Sequence, residues 1–156
     1  MQESPDNGSG GAPGTVAVII IDHGSRRASA NASLEEFVRN SAHALPYPIV
    51  EPAHMELAEP SLASAFDRCV AAGASTVAIA PYFLGPGSHW DRDIPALAAA
   101  ASARHPGVRW LVAAPLGPDR ALAEIIATRV AHCLDHVAGR AAECPTCAGS
   151  GRCTLR

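Results

Sequence analysis

Four short apolar segments alternate with four amphipathic segments along this chain of 156 residues, and this alternation constrains the fold most strongly. The apolar segments are Val16–Asp22, Ile49–Met55, Thr76–Ala80 and Val108–Ala113. Continuous apolar runs rich in β-branched residues are typical of strands that are covered on both faces. Repeated strand–helix units therefore predict an α/β fold, a four-stranded parallel sheet flanked by helices.

Apolar residues at helical spacing, with proline or glycine near the ends, mark the helices between these strands. We expect helices at Ala28–Ala44, Pro60–Ala72, Ile94–Arg104 and Pro118–Val137. Pro52 weakens the second strand or places it at a sheet edge, because proline cannot donate a hydrogen bond to a neighbouring strand. Two prolines and two glycines predict an irregular loop at Pro81–Trp90, and Asp91 or Asp93 is expected to cap the next helix.

The length predicts one domain, at residues 16–138, between two irregular segments. Residues 1–15 are polar and glycine-rich and lack the charged-then-apolar build of a signal peptide. We interpret them as a disordered leader, such as remains after a longer targeting segment is removed. Residues 139–156 show no periodicity and form a cysteine-rich tail.

The basic residues exclude several functions, because all 12 are arginine and the chain has no lysine. A Schiff base, a lysine general base and a P-loop lysine are therefore excluded. The net charge is −3 and there is no basic run, so nucleic acid is not an expected partner. No apolar stretch approaches the roughly 20 residues that cross a membrane.

Titratable residues cluster where three of the predicted strands end, which is where open parallel sheets bind ligands. His23 follows the first strand, Glu56 follows the second, and His89 lies on the loop after the third. Two imidazoles and a carboxylate suit a divalent ion such as Fe²⁺, Co²⁺ or Zn²⁺. The same three groups can transfer protons near neutral pH, and spacing alone leaves both uses open.

Residues beside this cluster have structural or binding interpretations. His54 is expected to be a core histidine with satisfied hydrogen bonds, and Glu59 a helix-entry carboxylate favoured by the helix dipole. Ser25 offers a hydroxyl and a backbone donor at a helix entrance, where anions bind well. Arg26 and Arg27 can bind carboxylates through two hydrogen bonds each.

The last part of the chain carries four cysteines: Cys133, Cys144, Cys147 and Cys153. Four closely spaced thiolates suit an iron–sulfur cluster or a structural Zn²⁺. Clustered thiols also favour a reducing compartment. Cys69 is predicted to be a core residue, because it lies on the apolar side of its helix.

Four motifs, VIIIDHGSRR, YPIVEPAHMELAEPS, PYFLGPGSHWDRDIP and APLGP, together resemble the short-form class II chelatases of the CbiX/SirB family. The resemblance runs from about Val16 to the end of the chain and is strongest to the plastid sirohydrochlorin ferrochelatases of plants and algae. It implies a lyase that inserts Fe²⁺ into sirohydrochlorin, releasing two protons and giving siroheme. In the matching motifs His23, Glu56 and His89 take the catalytic roles, and the two histidines hold the metal.

The resemblance also implies a cofactor, an assembly and a location. The cofactor is a 2Fe–2S cluster on the four tail cysteines. The assembly is a homodimer, because this chain corresponds to half of the family's longer two-unit members. The location is the plastid stroma, although the chain shows no transit peptide. Candidate substrate contacts near the three motifs are Ser25, Arg26, Arg27, Leu84, Trp90 and Arg92.

Three other functions compete with this one. Cobalt insertion needs the same ligands, since Co²⁺ accepts them readily. A metallochaperone or iron–sulfur binding module would use the tail and needs no large pocket beside His23 and His89. A histidine phosphatase also carries a strand-end histidine, but an arginine precedes that histidine, whereas this chain has Asp22.

Overall fold

The computed structural model describes residues 14–155 and contains one parallel sheet of four strands. The strands are β1 (Val16–Asp22), β2 (Ile49–His54), β3 (Thr76–Pro81) and β4 (Arg109–Val112). Their order across the sheet is β2-β1-β3-β4, and every pairing is parallel. The predicted α/β fold is confirmed, and Pro52 lies in an edge strand as expected.

The helices are α1 (Ala28–Ser41), α2 (Leu62–Ala71), α3 (Ile94–Ser102) and α4 (Arg120–Val137). A short 3₁₀ turn, Ala42–Ala44, extends α1, and α2 begins after Ser61, whose hydroxyl accepts a hydrogen bond from the Ser64 N–H. α4 begins two residues later than predicted, because the Asp119 carboxylate caps it through the Ala121 N–H.

The predicted cap of α3 is wrong. A π-helical turn, His89–Asp93, runs directly into α3, so the predicted loop ends two residues early. Asp93 occupies the N-cap position with helical backbone angles and forms no side-chain cap. Its carboxylate is instead bonded to His89 and Arg92.

The central strand β1 is buried on both faces, which is why its sequence is apolar without alternation. Ile19 and Ile21 pack into a core that includes Phe66 of α2 and Ile94 of α3. On the other face, Val18 and Ile20 pack with the α1 residues Leu34 and Val38. Burial of each such side chain contributes about 1.5–3 kcal/mol, so the strand that precedes His23 is firmly held.

The strand order creates a switch point between β1 and β3. The chain leaves β1 for β2 on one side, whereas β3 lies on the other side of β1. Connections that diverge in this way open a crevice beyond the carboxyl ends of the two strands. His23 follows β1 and His89 follows β3, so both histidines come from loops that border this crevice.

The structure has two compact units, one ending at Leu116 and the other beginning at Gly117. The first contains the sheet with α1, α2 and α3. The second contains α4 and the irregular cysteine-rich segment. The domain at residues 16–138 stays a prediction. Of the predicted leader, residues 1–13 lie outside the described residues. Between residues 14 and 155, no helix is both long enough and apolar enough to cross a membrane.

Candidate functional site

A tight turn presents His23 at the carboxyl end of β1. The next residue, Gly24, has a φ of +83°, and its N–H donates to the Asp22 carboxylate at 2.9 Å. A Cβ atom on residue 24 would lie 1.9 Å from the Glu56 carbonyl oxygen, so only glycine fits here. The Glu56 N–H donates to the His23 carbonyl at 3.1 Å, so the two loops are joined through their backbones.

The structure brings the three predicted catalytic residues together. His23 Nε2 lies 3.0 Å from Glu56 Oε1, and these side chains are 44% and 53% exposed. The His23 and His89 rings are 5.1 Å apart between centroids and meet edge to face. Two imidazoles and a carboxylate therefore form one partly exposed group that a ligand in solvent can reach.

His89 is held by its own set of neighbours. Its Nδ1 lies 2.9 Å from Asp93 Oδ2, and its ring stacks on Phe83 at a centroid distance of 6.1 Å. The other Asp93 oxygen, Oδ1, accepts a hydrogen bond from Arg92 Nε at 2.9 Å. The hydrogen bonds from Arg92 and His89 hold the pKa of the Asp93 carboxyl below its usual value, so this group is ionised at neutral pH.

The predicted arginine contacts lie on exposed side chains. Arg26 and Arg27 are exposed, and neither forms an ion pair with any residue of the described range 14–155. The Arg92 side chain is 76% exposed and is paired with Asp93. Unpaired arginines can take carboxylates in two-pronged hydrogen bonds. A substrate role for these residues remains a prediction.

The remaining predicted substrate contacts differ in their exposure and in the hydrogen bonds that they already form. Leu84 is 73% exposed, whereas the Trp90 indole N–H donates to the Ala113 carbonyl at 2.8 Å and so anchors its turn beside β4. The Ser25 N–H donates to Asn31 Oδ1 at 2.9 Å, and the Ser25 hydroxyl accepts from the Arg27 N–H. The expectation of a free backbone donor at Ser25 is therefore wrong.

Asp22 and His54 form a hydrogen-bonded pair that the sequence reasoning missed. His54 is fully buried, and its Nδ1 lies 2.6 Å from Asp22 Oδ1. Its Nε2 has no hydrogen-bond partner among residues 14–155, and the Glu35 carboxylate lies 4.0 Å away. The prediction of a core histidine is confirmed for burial and for Nδ1, but Nε2 is not satisfied.

Glu59 is a helix-entry carboxylate, as expected. It accepts hydrogen bonds from the Ser61 N–H at 2.7 Å and the Ser64 hydroxyl at 2.8 Å. These bonds, that from the Ser61 backbone foremost, lower the pKa of the Glu59 carboxyl. Glu59 is thus committed to the start of α2.

Three of the four tail cysteines converge. The Sγ atoms of Cys133, Cys147 and Cys153 lie within 4.8 Å of one another, and those of Cys133 and Cys153 are 3.6 Å apart. Hydrogen bonds with Cys153 and then Cys144 raise the pKa of the Cys147 thiol to about 12, whereas the bond from Cys147 lowers the pKa of Cys144. Cys133, Cys147 and Cys153 therefore form one contact group that could bind a metal.

Cys69 belongs to a different environment from the tail thiols. It is fully buried in the core beside the sheet, and desolvation raises its pKa to about 12. Its prediction as a core residue is confirmed.

The strand order and the crevice define an open α/β protein with its polar site at the switch point. The profile of the CbiX family matches residues 17–133, and the chain belongs to this family. It is 52% identical, over 96% of its length, to the chloroplastic sirohydrochlorin ferrochelatase of Arabidopsis thaliana. The chain covers 65% of that protein and 44% of the sirohydrochlorin ferrochelatase of Bacillus subtilis. Other similar proteins are named sirohydrochlorin cobaltochelatases.

Two solved structures share the fold. The crystal structure of a putative cobalamin biosynthesis CbiX protein from Marinobacter aquaeolei has a TM-score of 0.67 and 30% identity, and the match covers 78% of this chain and 98% of that one. SirB from Bacillus subtilis with Fe³⁺ has a TM-score of 0.68 and 28% identity, and the match covers 79% of this chain and 47% of that one. This chain thus corresponds to the whole of the first structure and to about half of the second.

Proposed function

We propose that the protein is a sirohydrochlorin ferrochelatase, which inserts Fe²⁺ into sirohydrochlorin to give siroheme. The observation that carries this proposal is the convergence of His23, Glu56 and His89 at the switch point, with the two rings 5.1 Å apart. Neutral imidazole binds divalent iron, and a carboxylate beside it can accept protons. The name of the similar Arabidopsis protein supports the same activity.

The reaction replaces two protons on the pyrrole nitrogens by one metal ion. His23 and His89 hold Fe²⁺ at the exposed mouth of the crevice and present it to one face of the macrocycle. Glu56 lies 3.0 Å from His23 Nε2 and gives up this contact when Nε2 takes the ion, while His23 Nδ1 keeps its proton toward the Gly24 carbonyl. The half-exposed Glu56 carboxylate then accepts a proton from the substrate and passes it to solvent. The second proton follows the same route, so the two charges of the entering ion balance the two protons released.

The substrate carries many carboxylates, and the arginine-only basic set suits them. Arg26 and Arg27 flank the His23 turn with exposed side chains, and Arg92 follows His89. Guanidinium groups bind carboxylates with two parallel hydrogen bonds, which also sets the orientation of the ring. Leu84 and Trp90 supply apolar surface to the macrocycle, and the Ser25 hydroxyl hydrogen is a further donor.

The test is an anaerobic assay of purified protein with sirohydrochlorin and Fe²⁺, followed by absorption spectra. Wild type is expected to metallate the macrocycle, while His23→Ala and His89→Ala lose nearly all turnover and keep the fold. His43→Ala, an exposed histidine on the turn after α1, is the matched control and retains turnover. Wild-type turnover in both site variants would overturn the assignment.

Cobalt insertion is the second candidate, because the same ligand set accepts Co²⁺. Parallel assays with Fe²⁺ and Co²⁺ compare the two metals directly. Faster insertion of Co²⁺ at equal metal concentration would make the protein a cobaltochelatase. A protein that binds metal but metallates no sirohydrochlorin would be a metallochaperone instead.

We also propose a homodimer. Two copies of this chain would together correspond to the two units that a longer family member carries in one chain. The match to about half of the Bacillus subtilis SirB chain supports this assembly. The α4 residues Ile125, Ile126 and Val130 are each more than half exposed and offer apolar surface to a partner. Sedimentation should show an active dimer, and an active monomer would contradict it.

For the cysteine-rich segment we propose an iron–sulfur cluster of the 2Fe–2S type on Cys133, Cys144, Cys147 and Cys153. The donor set fits, because three thiols converge and the Cys147 N–H donates to the carbonyl of the fourth cysteine, Cys144, at 3.0 Å. When bound, the cluster would supply one-electron chemistry, which metal insertion does not require. Anaerobic purification with absorption and EPR spectra tests it, and a colourless protein with one zinc would refute it.

The proposed location is the plastid stroma. The similar Arabidopsis protein is chloroplastic, and four closely spaced cysteines favour a reducing compartment. A fluorescent fusion of the complete gene product should accumulate in plastids, and a cytosolic signal would contradict this location.

A further inference from the structure

The two histidines of the site differ in the ring nitrogen that contacts a carboxylate. His89 uses Nδ1, which lies 2.9 Å from Asp93 Oδ2. His23 uses Nε2, which lies 3.0 Å from Glu56 Oε1, while its Nδ1 lies 3.2 Å from the Gly24 carbonyl. For His89 the nitrogen at the far end of the ring, Nε2, forms no hydrogen bond with any residue in the range 14–155.

We propose that Asp93 is a positioning residue that fixes the tautomer of His89 and so makes its Nε2 the metal-binding atom. This inference rests on the proposed function, since it takes His89 to be a ligand of the entering ion. An ionised carboxylate only accepts hydrogen bonds, so the proton between the two groups belongs to Nδ1. Nε2 is then left with a free lone pair, which is the form that binds a divalent metal.

The local backbone is built to hold this contact. The π-helical turn His89–Asp93 places the two side chains four positions apart on one face. The ring of Phe83, stacked on His89, restricts rotation of the imidazole. Arg92 Nε donates to the second Asp93 oxygen, Oδ1, and thereby fixes the plane of the carboxylate. A carboxylate in this position is the usual partner of a metal-bound histidine.

The two Asp93 oxygens have different partners, His89 and Arg92, and this gives a specific expectation for Asp93→Asn. Arg92 has only donors, so it keeps the amide oxygen and leaves the amide NH₂ facing His89 Nδ1. That NH₂ donates to Nδ1 and favours the tautomer with the proton on Nε2, which cannot bind a metal. Asp93→Asn is therefore expected to weaken metal binding at least as much as Asp93→Ala, although asparagine has nearly the same shape as aspartate.

The experiment is an anaerobic Co²⁺ titration of the purified full chain without sirohydrochlorin, followed by visible absorption. The absorption that belongs to this site is the difference between the spectrum of a protein and that of His89→Ala. The His89→Ala variant lacks the ligand but keeps the tail thiols, which can also bind Co²⁺. Loss of a carboxylate behind a metal-binding histidine weakens affinity about 10–100-fold, and this is the expected effect of Asp93→Asn. In Arg92→Ala/Asp93→Asn the amide is free to turn, so part of the loss should be recovered.

Two controls separate a positioning role from a structural one. Asp91→Asn changes an exposed acid on the same turn and should bind Co²⁺ like wild type. Long-range ¹H–¹⁵N NMR should place the His89 proton on Nδ1 in wild type and on Nε2 in Asp93→Asn. Wild-type Co²⁺ affinity or an unchanged tautomer in Asp93→Asn would overturn the inference. Both results are independent of turnover, whereas failure of the wild type to metallate sirohydrochlorin would overturn the proposed function alone.

Discussion

Replacement of Gly24 by alanine tests how the fold places His23. Gly24 has a φ of +83°, and an added Cβ would lie 1.9 Å from the Glu56 carbonyl oxygen and 3.2 Å from His54 Cβ. Both neighbours belong to the β2 end of the sheet, and the nearer one is backbone, which cannot rotate away. The Gly24 turn and the Glu56 loop must therefore separate by about 1 Å before the methyl group fits.

The expected magnitude has two parts. A left-handed backbone costs an alanine about 1–2 kcal/mol relative to glycine. Forcing a methyl group into a packed contact costs about 1–3 kcal/mol more, so the free energy of unfolding should fall by about 2–5 kcal/mol. A displacement of about 1 Å between reacting groups can cost about 100-fold in rate, and His23 and Glu56 face each other across this contact.

Gly73→Ala is the matched control. Gly73 also has a positive φ, +94°, but nothing lies within 4 Å of its added Cβ, and it sits at the end of α2 away from His23. Urea denaturation and the Fe²⁺ insertion assay are run on both variants. In Gly73→Ala the free energy of unfolding should fall only by the cost of a left-handed backbone, about 1–2 kcal/mol, and turnover should be unchanged. Equal stability and equal turnover of the two variants would refute the reasoning.

Two further changes test the surroundings of the site. His54→Ala removes a fully buried ring and its 2.6 Å bond to Asp22, so urea denaturation should show a loss of about 2–4 kcal/mol; a loss below about 1 kcal/mol would contradict it. Asp67→Asn tests pH dependence, because hydrogen bonds with His105 and then Arg104 lower the pKa of the Asp67 carboxyl in the folded state. A carboxyl whose folded-state pKa is lowered stabilises the fold above its unfolded pKa of about 3.9, and this stabilisation is lost as pH falls through the folded-state pKa. The thermal midpoint of Asp67→Asn should therefore lie below that of wild type at pH 7, and the difference should shrink as pH falls below the unfolded pKa; a difference that does not change with pH would contradict this.

The strands and their carboxyl ends could be predicted from sequence, because the signal is local. β1 is apolar throughout since both of its faces are buried, and the position of His23 and His89 at neighbouring strand ends follows from the parallel order. Their approach in space needed only this topology, together with the turn that Gly24 permits.

The partners of the histidines could not be predicted in the same way. Asp22 and His54 lie opposite each other in the β1–β2 register, a tertiary pairing between residues far apart in sequence. The only sequence signal is that an acid and a histidine end two apolar strands. Asp93 carries a local signal, its four-residue spacing from His89, but an acid just before a helix also suits a cap. The π-helical turn places the Asp93 carboxylate against His89, where it forms no helix cap, and no residue in this turn predicts a π-helix from sequence.

The contacts within the cysteine-rich tail could not be predicted from sequence either. The spacing of its cysteines predicted a shared site, but contact between Cys133 and Cys153 depends on how the segment after α4 folds back. That segment has no periodic apolar face, so its path is set by side-chain contacts such as the pairing of Arg140 with Asp135.

The most direct test of the account is single-turnover insertion of Fe²⁺ into sirohydrochlorin by Glu56→Gln beside Glu59→Gln. The two glutamates lie three residues apart, but Glu56 faces His23 while Glu59 is bonded to Ser61 and Ser64 at the start of α2. Loss of a proton acceptor should slow the Glu56→Gln reaction by about 10²–10⁴-fold, and Glu59→Gln should react at close to the wild-type rate. Equal wild-type rates in both variants would contradict the claim that His23, Glu56 and His89 act together in metal insertion.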